Sequence, residues 1–179
     1  MPCAFATAYA GNTACPPPSP GMDELDIWLM NRADITWGTA VAKVYPTITL
    51  AGATLAYRWS VHNKGLNFAD EFTENETTGA GSWAPKLNFR LLGFDGATSN
   101  AVEKFRGVDV VAVVRAKNGK YLVFGSEAGL RLTANTTGSD ADTLGESVTL
   151  GGNEEPSKHY QLLVTDAATT RSTLIALES

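Results

Sequence analysis

The sequence predicts a mainly β protein, a sandwich or barrel of about eight to ten strands with one short helix. Two observations support this fold class. Short runs of β-branched and aromatic residues recur between clusters of turn-forming residues, and the longest of these runs is the valine-rich segment 108–114. The chain has 179 residues, 44% of them hydrophobic and 18% charged, which suits one globular domain with a sizeable core.

The segment 107–132 predicts three consecutive antiparallel strands. Its five valines between Val108 and Val114 show no helical period. Asn118-Gly119 is the pair best able to adopt two successive positive φ angles, so we expect a type I′ turn there. Gly125 and Gly129 flank a second reversal. The predicted strands of this meander are 108–114, 121–124 and 130–132.

The same pattern predicts strands on both sides of the meander. Leu55, Tyr57, Trp59 and Val61 alternate with polar residues and are expected to share one half-buried face. The predicted strands before the meander are 25–31, 35–37, 44–50, 55–62, 66–72 and 87–92, and those after it are 146–150 and 160–165. The residues 134–142 are small and polar and predict a loop.

One segment, 98–107, predicts a helix. Thr98, Ser99 and Asn100 offer N-cap side chains, and Gly107 offers a stop. Val102 and Phe105 would face the sheet.

Three parts of the chain follow from these patterns. Residues 1–24 contain Pro16, Pro17 and Pro18 and predict an extended N-terminal arm. Residues 25–165 form the β-sandwich domain. Residues 166–179 are a C-terminal extension, in which 174–177 is either a final strand or part of a mobile tail.

Composition also narrows the functional classes. The net charge of −5 argues against a nucleic-acid-binding surface. The sequence contains no run of about 18 apolar residues, so no membrane-spanning helix is predicted. The N-terminus lacks the basic residue and the long apolar core that a signal peptide needs. Cys3 and Cys15 either form a disulfide or remain free thiols, and the compartment rule favours free thiols.

No motif for catalysis is evident in the sequence. His62 and His159 lack metal-ligand spacing, and phosphate-loop, dinucleotide-binding and nucleophile-elbow motifs are absent. The acidic residues near Asp70 could supply a carboxylate pair for glycoside hydrolysis. Such clusters are more often solvated, so we expect neither an enzyme nor a cofactor.

The acidic residues are nevertheless unevenly distributed. Nine of the nineteen fall in the stretches 65–85 and 132–157, which contain no Lys or Arg. If both stretches faced one cavity, that cavity would repel phosphate groups over about a Debye length. The alternative is two unrelated solvated loops.

Three strings in the sequence carry a resemblance to a known family. Asn-Gly-Lys-Tyr-Leu-Val-Phe-Gly at 118–125 and Gly-Leu-Arg-Leu at 129–132 resemble the "NGKYWLLG…GL.L" signature of tail tube-like proteins from phages of Bacteroidetes hosts. The segment 147–156 corresponds to their strand and "G-x-E-x-E-P" element, and 27–36 corresponds to "IYLANFADIT". The resemblance covers the start and the last third of the chain. It departs from the family in the triple proline and in the residues that follow Pro156.

This resemblance implies a virion structural protein of the tail, assembled in the host cytoplasm. Its partners would be further copies of itself in stacked, hexameric rings, other tail proteins, and DNA that passes without tight binding. The acidic residues that would then line the lumen are Asp70, Glu71, Glu74, Glu76, Asp140, Asp142, Glu154 and Glu155. The residues that would contact other subunits are Cys15, Pro16, Pro17, Pro18, Phe72, Thr77 and Gly79.

Three alternatives remain open. A terminator or neck protein would share the same motifs. A carbohydrate- or host-binding sandwich would use tryptophans as stacking platforms, and a hydrolase would use the acidic cluster. The tryptophans are Trp28, Trp37, Trp59 and Trp83.

Overall fold

The computed structural model describes residues 22–52, 54–59, 66–74, 81–91, 96–140, 143–152 and 155–178. Most of the predicted N-terminal arm, with both cysteines and the triple proline, lies outside these residues. The mainly β prediction is confirmed. Ten strands form one mixed sheet, and two further strands form a small antiparallel pair.

The strands follow the order β6–β7–β11–β10–β8–β1–β5 across the sheet, and a branch β9–β12–β3 leaves from β8. Among the described strands only β12 and β3 pair in parallel. A short 3-10 turn, Arg32–Asp34, joins β1 to β2. The elements are β1 Met22–Asn31, β2 Ile35–Trp37, β3 Val44–Tyr45, β4 Ile48–Leu50, β5 Tyr57–Trp59, β6 Asn67–Glu74, β7 Gly81–Leu91, α1 Gly96–Glu103, β8 Val110–Ala116, β9 Tyr121–Phe124, β10 Leu130–Asp140, β11 Thr143–Gly152, β12 Tyr160–Leu162 and α2 Ala167–Ala176.

Residues 27–30 of β1 and 110–114 of β8, the central strands, are buried on both faces of the sheet. Ile27 and Leu29 point to one side of the sheet, whereas Trp28 and Met30 point to the other, and all four are buried. Every residue of 110–114 is likewise buried. A strand covered on both faces reads as a continuous apolar run, which accounts for the valine-rich sequence.

Two apolar cores therefore lie on opposite sides of β1 and β8. In the first core these strands pack against β7, β11 and α1, through residues such as Phe89, Leu150 and Val102. In the second core they pack against the β2–β4 pair, β12 and α2, through residues such as Ile48 and Leu162. The molecule is consequently layered on both sides of its central strands.

The turn between β8 and β9 is not the predicted type I′ turn. Gly119 has a φ of 80°, but Asn118 is not among the residues with positive φ. The N–H of Gly119 donates to the carbonyl of Ala116 (2.8 Å), and the N–H of Ala116 donates to the carbonyl of Lys120 (2.8 Å). This is the three-residue hairpin loop in which one left-handed glycine follows a type I turn.

The prediction of a loop at 134–142 is wrong for residues 134–140, and residues 141 and 142 lie outside the described residues. β10 continues to Asp140 and stays paired with β11 down to the register Asp140–Thr143. Residues 134–137 are exposed because, among the described residues, β7 pairs with β11 only as far as Glu146, so the end of the hairpin projects as a two-stranded ribbon. Threonines suit such an exposed strand as well as they suit a loop.

Two other predictions changed in extent. The predicted strand 44–50 is divided into β3 and β4 around Pro46. Among the described residues β5 covers Tyr57–Trp59, and Tyr57 is 62% exposed, so the predicted half-buried face does not form at these positions. Val61 lies outside the described residues.

The predicted helix is present as α1, with Val102 fully buried. It begins at Gly96, so Thr98, Ser99 and Asn100 lie inside the helix instead of capping it.

The C-terminal segment is neither a strand nor a mobile tail, because it forms the helix α2. Asp166 caps the helix by accepting from the N–H of Thr169 (2.7 Å). Leu174 is fully buried in the second core. The chain end is fixed further by Glu178, whose Oε1 accepts from the buried Nε1 of Trp28 (2.8 Å).

The burial of α2 predicts a sharp difference between two adjacent positions. Leu174→Ala should lower the free energy of unfolding by about 2–5 kcal/mol, because it leaves a cavity in the second core. Ile175→Ala, on the exposed face of the same helix, should change it by less than about 1 kcal/mol. Denaturant titration measures both values, and equal effects would contradict the docked helix.

Candidate functional site

The most unusual surface of the molecule is the outer edge of β6. This strand is eight residues long and ends one side of the large sheet. Within the described part of the chain it pairs only with β7. A long strand with one unpaired edge is a template for another strand.

The contact between Trp83 and Glu155 determines which β6 groups are unpaired. These two residues exchange both backbone hydrogen bonds (2.7 Å each), so the N–H and C=O of Trp83 point away from β6. Trp83 lies directly opposite Phe72 of β6, which makes that pair non-hydrogen-bonded. The N–H and C=O of Phe72 therefore point outward from the sheet edge. Because backbone groups alternate in direction along a strand, the N–H and C=O groups of β6 that point outward belong to Phe68, Asp70, Phe72 and Glu74.

The side chains of these four residues share one face of β6, and the face changes character along the strand. Phe68 packs on Phe124 of the first core, with ring centroids 4.9 Å apart. Phe72, a predicted subunit contact, is 53% exposed. Its ring lies on Trp83 at a centroid distance of 4.8 Å. The β6–β7 hairpin thus carries an aromatic side chain beyond the core.

Asp70, a predicted lumen residue, lies inside the fold instead of on its open surface. Its side chain is 8% exposed, and its Oδ2 lies 2.5 Å from Nδ1 of His159. The His159 ring packs against Phe68 and Phe124. This pair fastens β6 to the segment that precedes β12.

Glu155, another predicted lumen residue, is 1% exposed. Its Oε1 accepts from the backbone N–H groups of Glu127 (3.4 Å) and Ala128 (3.3 Å). Burial raises the pKa of this carboxyl, and the charges of Glu127 and Asp70 add to the rise. The structure therefore brings Asp70 and Glu155 near each other, one from each cation-free stretch, but as buried groups.

The other predicted residues are dispersed. Glu71 and Glu74 are exposed on β6, where Glu71 lies 3.8 Å from the Nζ of Lys86. Asp140 lies at the far end of the β10–β11 hairpin. Glu76, Asp142, Glu154, Thr77, Gly79, Cys15, Pro16, Pro17 and Pro18 lie outside the described residues. Among the described side chains, Glu71 and Glu74 are the predicted lumen acids on an open surface.

A second feature, which the sequence did not reveal, lies at the opposite end of the sheet. β5 ends that side and pairs with β1 alone among the described strands. Beside it is a cavity of about 370 Å³ between β1, β5 and α1. The lining residues are Leu29, Met30, Asn31, Tyr57, Trp59, Ala101, Lys104, Phe105, Val108 and Val110. They come from four separate stretches, so no local pattern could have identified the cavity.

The tryptophans do not form a common platform. Trp28 is fully buried, and Trp59 packs on the first core. Trp37 stacks on Tyr45 with ring centroids 4.6 Å apart. Trp83 is covered by Phe72 and by the Lys158 ammonium, 4.3 Å from its ring centre.

Comparisons of the chain with protein-family models, with curated proteins and with solved structures found no match. In the described part of the chain, no group of three or more His, Cys, Asp or Glu residues could hold a metal ion. Neither of the two described helices has the length and apolar character needed to cross a membrane.

The buried Glu155 predicts a defined pH dependence of stability. Because its pKa is raised above the ordinary value of 4.5, the carboxyl is protonated below that pH, and the free-energy cost of burying its charge is absent there. The cost appears as the pH rises through the pKa of the folded protein. Glu155→Gln keeps an oxygen acceptor without the charge, so its free energy of unfolding relative to wild type should increase from acidic to neutral pH.

Urea titrations across that pH range test this expectation. Glu155→Ala should be less stable than Glu155→Gln by about 1–3 kcal/mol, because two backbone N–H groups lose their acceptor. Parallel pH profiles for wild type and Glu155→Gln would contradict the assignment.

Proposed function

We propose that this chain is a self-assembling structural protein of a virion, a tail tube protomer whose copies form stacked rings around a DNA channel. The free outer edge of β6 is the observation that carries the proposal. Proteins that remain monomeric blunt such edges with charged side chains, especially lysine, or with proline, bulges or very short strands. β6 has eight residues, contains neither Lys nor Pro, and pairs with β7 in continuous register.

The charges on the sheet edges favour head-to-tail pairing. β6 carries the exposed carboxylates of Glu71 and Glu74 and no cation, so two β6 strands side by side would bring like charges together. β5, at the opposite end of the sheet, carries Arg58, whose Nε lies 3.6 Å from Oε1 of Glu178, and the adjoining cavity carries the exposed Lys104. Joining β6 of one copy to β5 of the next gives a heterologous interface, which closes into a ring when the rotation permits.

The role in a tail tube is supported by the sequence resemblance and by charge. The described residues of the strings at 118–132 and 147–156 include β9, the first residues of β10 and the last residues of β11. The net charge of −5 is compatible with a channel that DNA traverses, because tight phosphate contacts would retain it. A terminator or neck ring is the second candidate, since it would use the same edges.

A proline substitution at the β6 edge tests the proposal. Glu74→Pro removes an outward N–H and should abolish assembly while leaving the melting temperature within a few degrees of wild type. Glu74→Gln keeps that N–H and should still assemble, at a higher protein concentration because the charge is lost. Light scattering over a concentration series and negative-stain electron microscopy give the readout.

Each outcome has a distinct meaning. Stacked tubes support the tail tube role, and single closed rings favour the terminator or neck role. A wild-type protein that stays monomeric at every concentration would refute both. Unchanged assembly of Glu74→Pro would show that β6 is not the joining edge.

A further inference from the structure

We infer that Phe72 of one copy inserts into the cavity between β1, β5 and α1 of the next copy, with Glu74 placed beside Lys104. This inference rests on the proposed self-assembly and identifies the two surfaces that would meet. One is the exposed end of the β6–β7 hairpin. The other is the apolar cavity at the opposite end of the sheet.

The cavity has the properties of a receptor for an aromatic side chain. Its walls include Trp59 and Phe105, whose rings lie 5.1 Å apart, together with Leu29 and Val110. Asn31 and Lys104 supply the polar groups of the lining. A volume of about 370 Å³ lies within the range of pockets that hold small ligands, so a phenyl ring can enter.

Phe72 is already positioned as an anchor. Its ring leans over Gly81, where a Cβ atom would collide with it, and rests on Trp83. These contacts restrict the ring while leaving 53% of the residue exposed. An anchor that is ordered before binding loses little conformational entropy on association.

The two surfaces also lie on the same side of the sheet. Phe72 shares its face of β6 with Phe68, which contacts Phe124 of the first core. The cavity is lined by Leu29 and Val110, which are members of the same core. Rotation around a ring axis preserves the two sides of the sheet. A β6 strand laid along β5 of the next copy would therefore present Phe72 on the cavity side.

Charge at the two surfaces is complementary. Glu74 lies two residues beyond Phe72, so both side chains share one face, and Glu74 is exposed. Lys104 is exposed and lines the cavity, and it has no ion pair among the described residues. Opposite charges at the rim favour the alignment that places Glu74 beside Lys104 over alignments that separate them.

The anchor is tested by truncation. Phe72→Ala should raise the protein concentration at which half of the sample is assembled by at least about tenfold, the usual effect of removing a buried aromatic anchor. Val41→Ala is the matched control, because Val41 is an exposed apolar residue outside β6 and the cavity lining. Sedimentation velocity measures both variants, and thermal unfolding verifies their folds.

The register is tested by charge reversal, which does not depend on Phe72. Lys104→Glu should weaken assembly, and combining it with Glu74→Lys should restore it. Lys120→Glu, an exposed lysine in the β8–β9 turn, is the control and should have no effect. In a mixture of isotopically light and heavy protein, a zero-length carbodiimide should cross-link Glu74 to Lys104 between light and heavy chains.

The results separate this inference from the proposed function. If wild type forms rings while Phe72→Ala and Lys104→Glu assemble at unchanged concentration, the inference is wrong and the function still stands. If wild type never assembles, both are wrong. A Glu74–Lys104 cross-link confined to single chains would also overturn the inference.

Discussion

The burial of β1 and β8 on both faces is the constraint on which the rest of this structure depends. A sheet packed on one side could end in short protected strands close to its core. Here the central strands need cover on two sides, and the chain supplies it by extending the sheet through β10, β11 and β7 on one side. On the other side the small β2–β4 pair and α2 cover the second core. The extended path leaves β6 as a terminal strand with little of its own surface buried.

Buried polar contacts then fix that terminal strand in place. Glu155 pairs with the backbone of Trp83 and accepts from the turn after β9, while His159 holds the carboxylate of Asp70. Buried carboxylates are costly unless they are hydrogen-bonded. Oε1 of Glu155 and Oδ2 of Asp70 have such partners in the folded arrangement, whereas Oδ1 of Asp70 has none among the described residues. They also set the alternation of β6, because the direction of Trp83 decides that Phe72 and Glu74 turn their backbone groups outward. The acids of this region therefore serve the geometry of the edge as well as its charge.

The sequence predicted what is local and missed what depends on distant partners. The valine run, β9 and the α1 region were predictable because the period of a strand, or a helix followed by glycine, depends on residues that are neighbours in the sequence. α2 was missed because Thr170 and Leu174 are its buried residues, too few for an apolar stripe, and the core they enter is built from β1 and β8. The burial of Asp70 and Glu155 depends on a contact with β7 and the β9–β10 turn, which no spacing encodes. The cavity beside β5 likewise joins four stretches of chain.

The acidic residues of β6 explain how an unpaired strand edge could be restricted to one partner. An unpaired strand without charge would join another copy of itself as readily as any other edge, and an isologous pair of β6 strands would end growth at a dimer. Glu71 and Glu74 make that pairing repulsive, whereas the opposite end of the sheet carries Lys104 beside the cavity and Arg58, whose Nε lies 3.6 Å from Oε1 of Glu178. Specificity of this kind needs an element that opposes the wrong complex as well as one that favours the right complex. The exposed carboxylates of β6 would then direct the subunits into a ring.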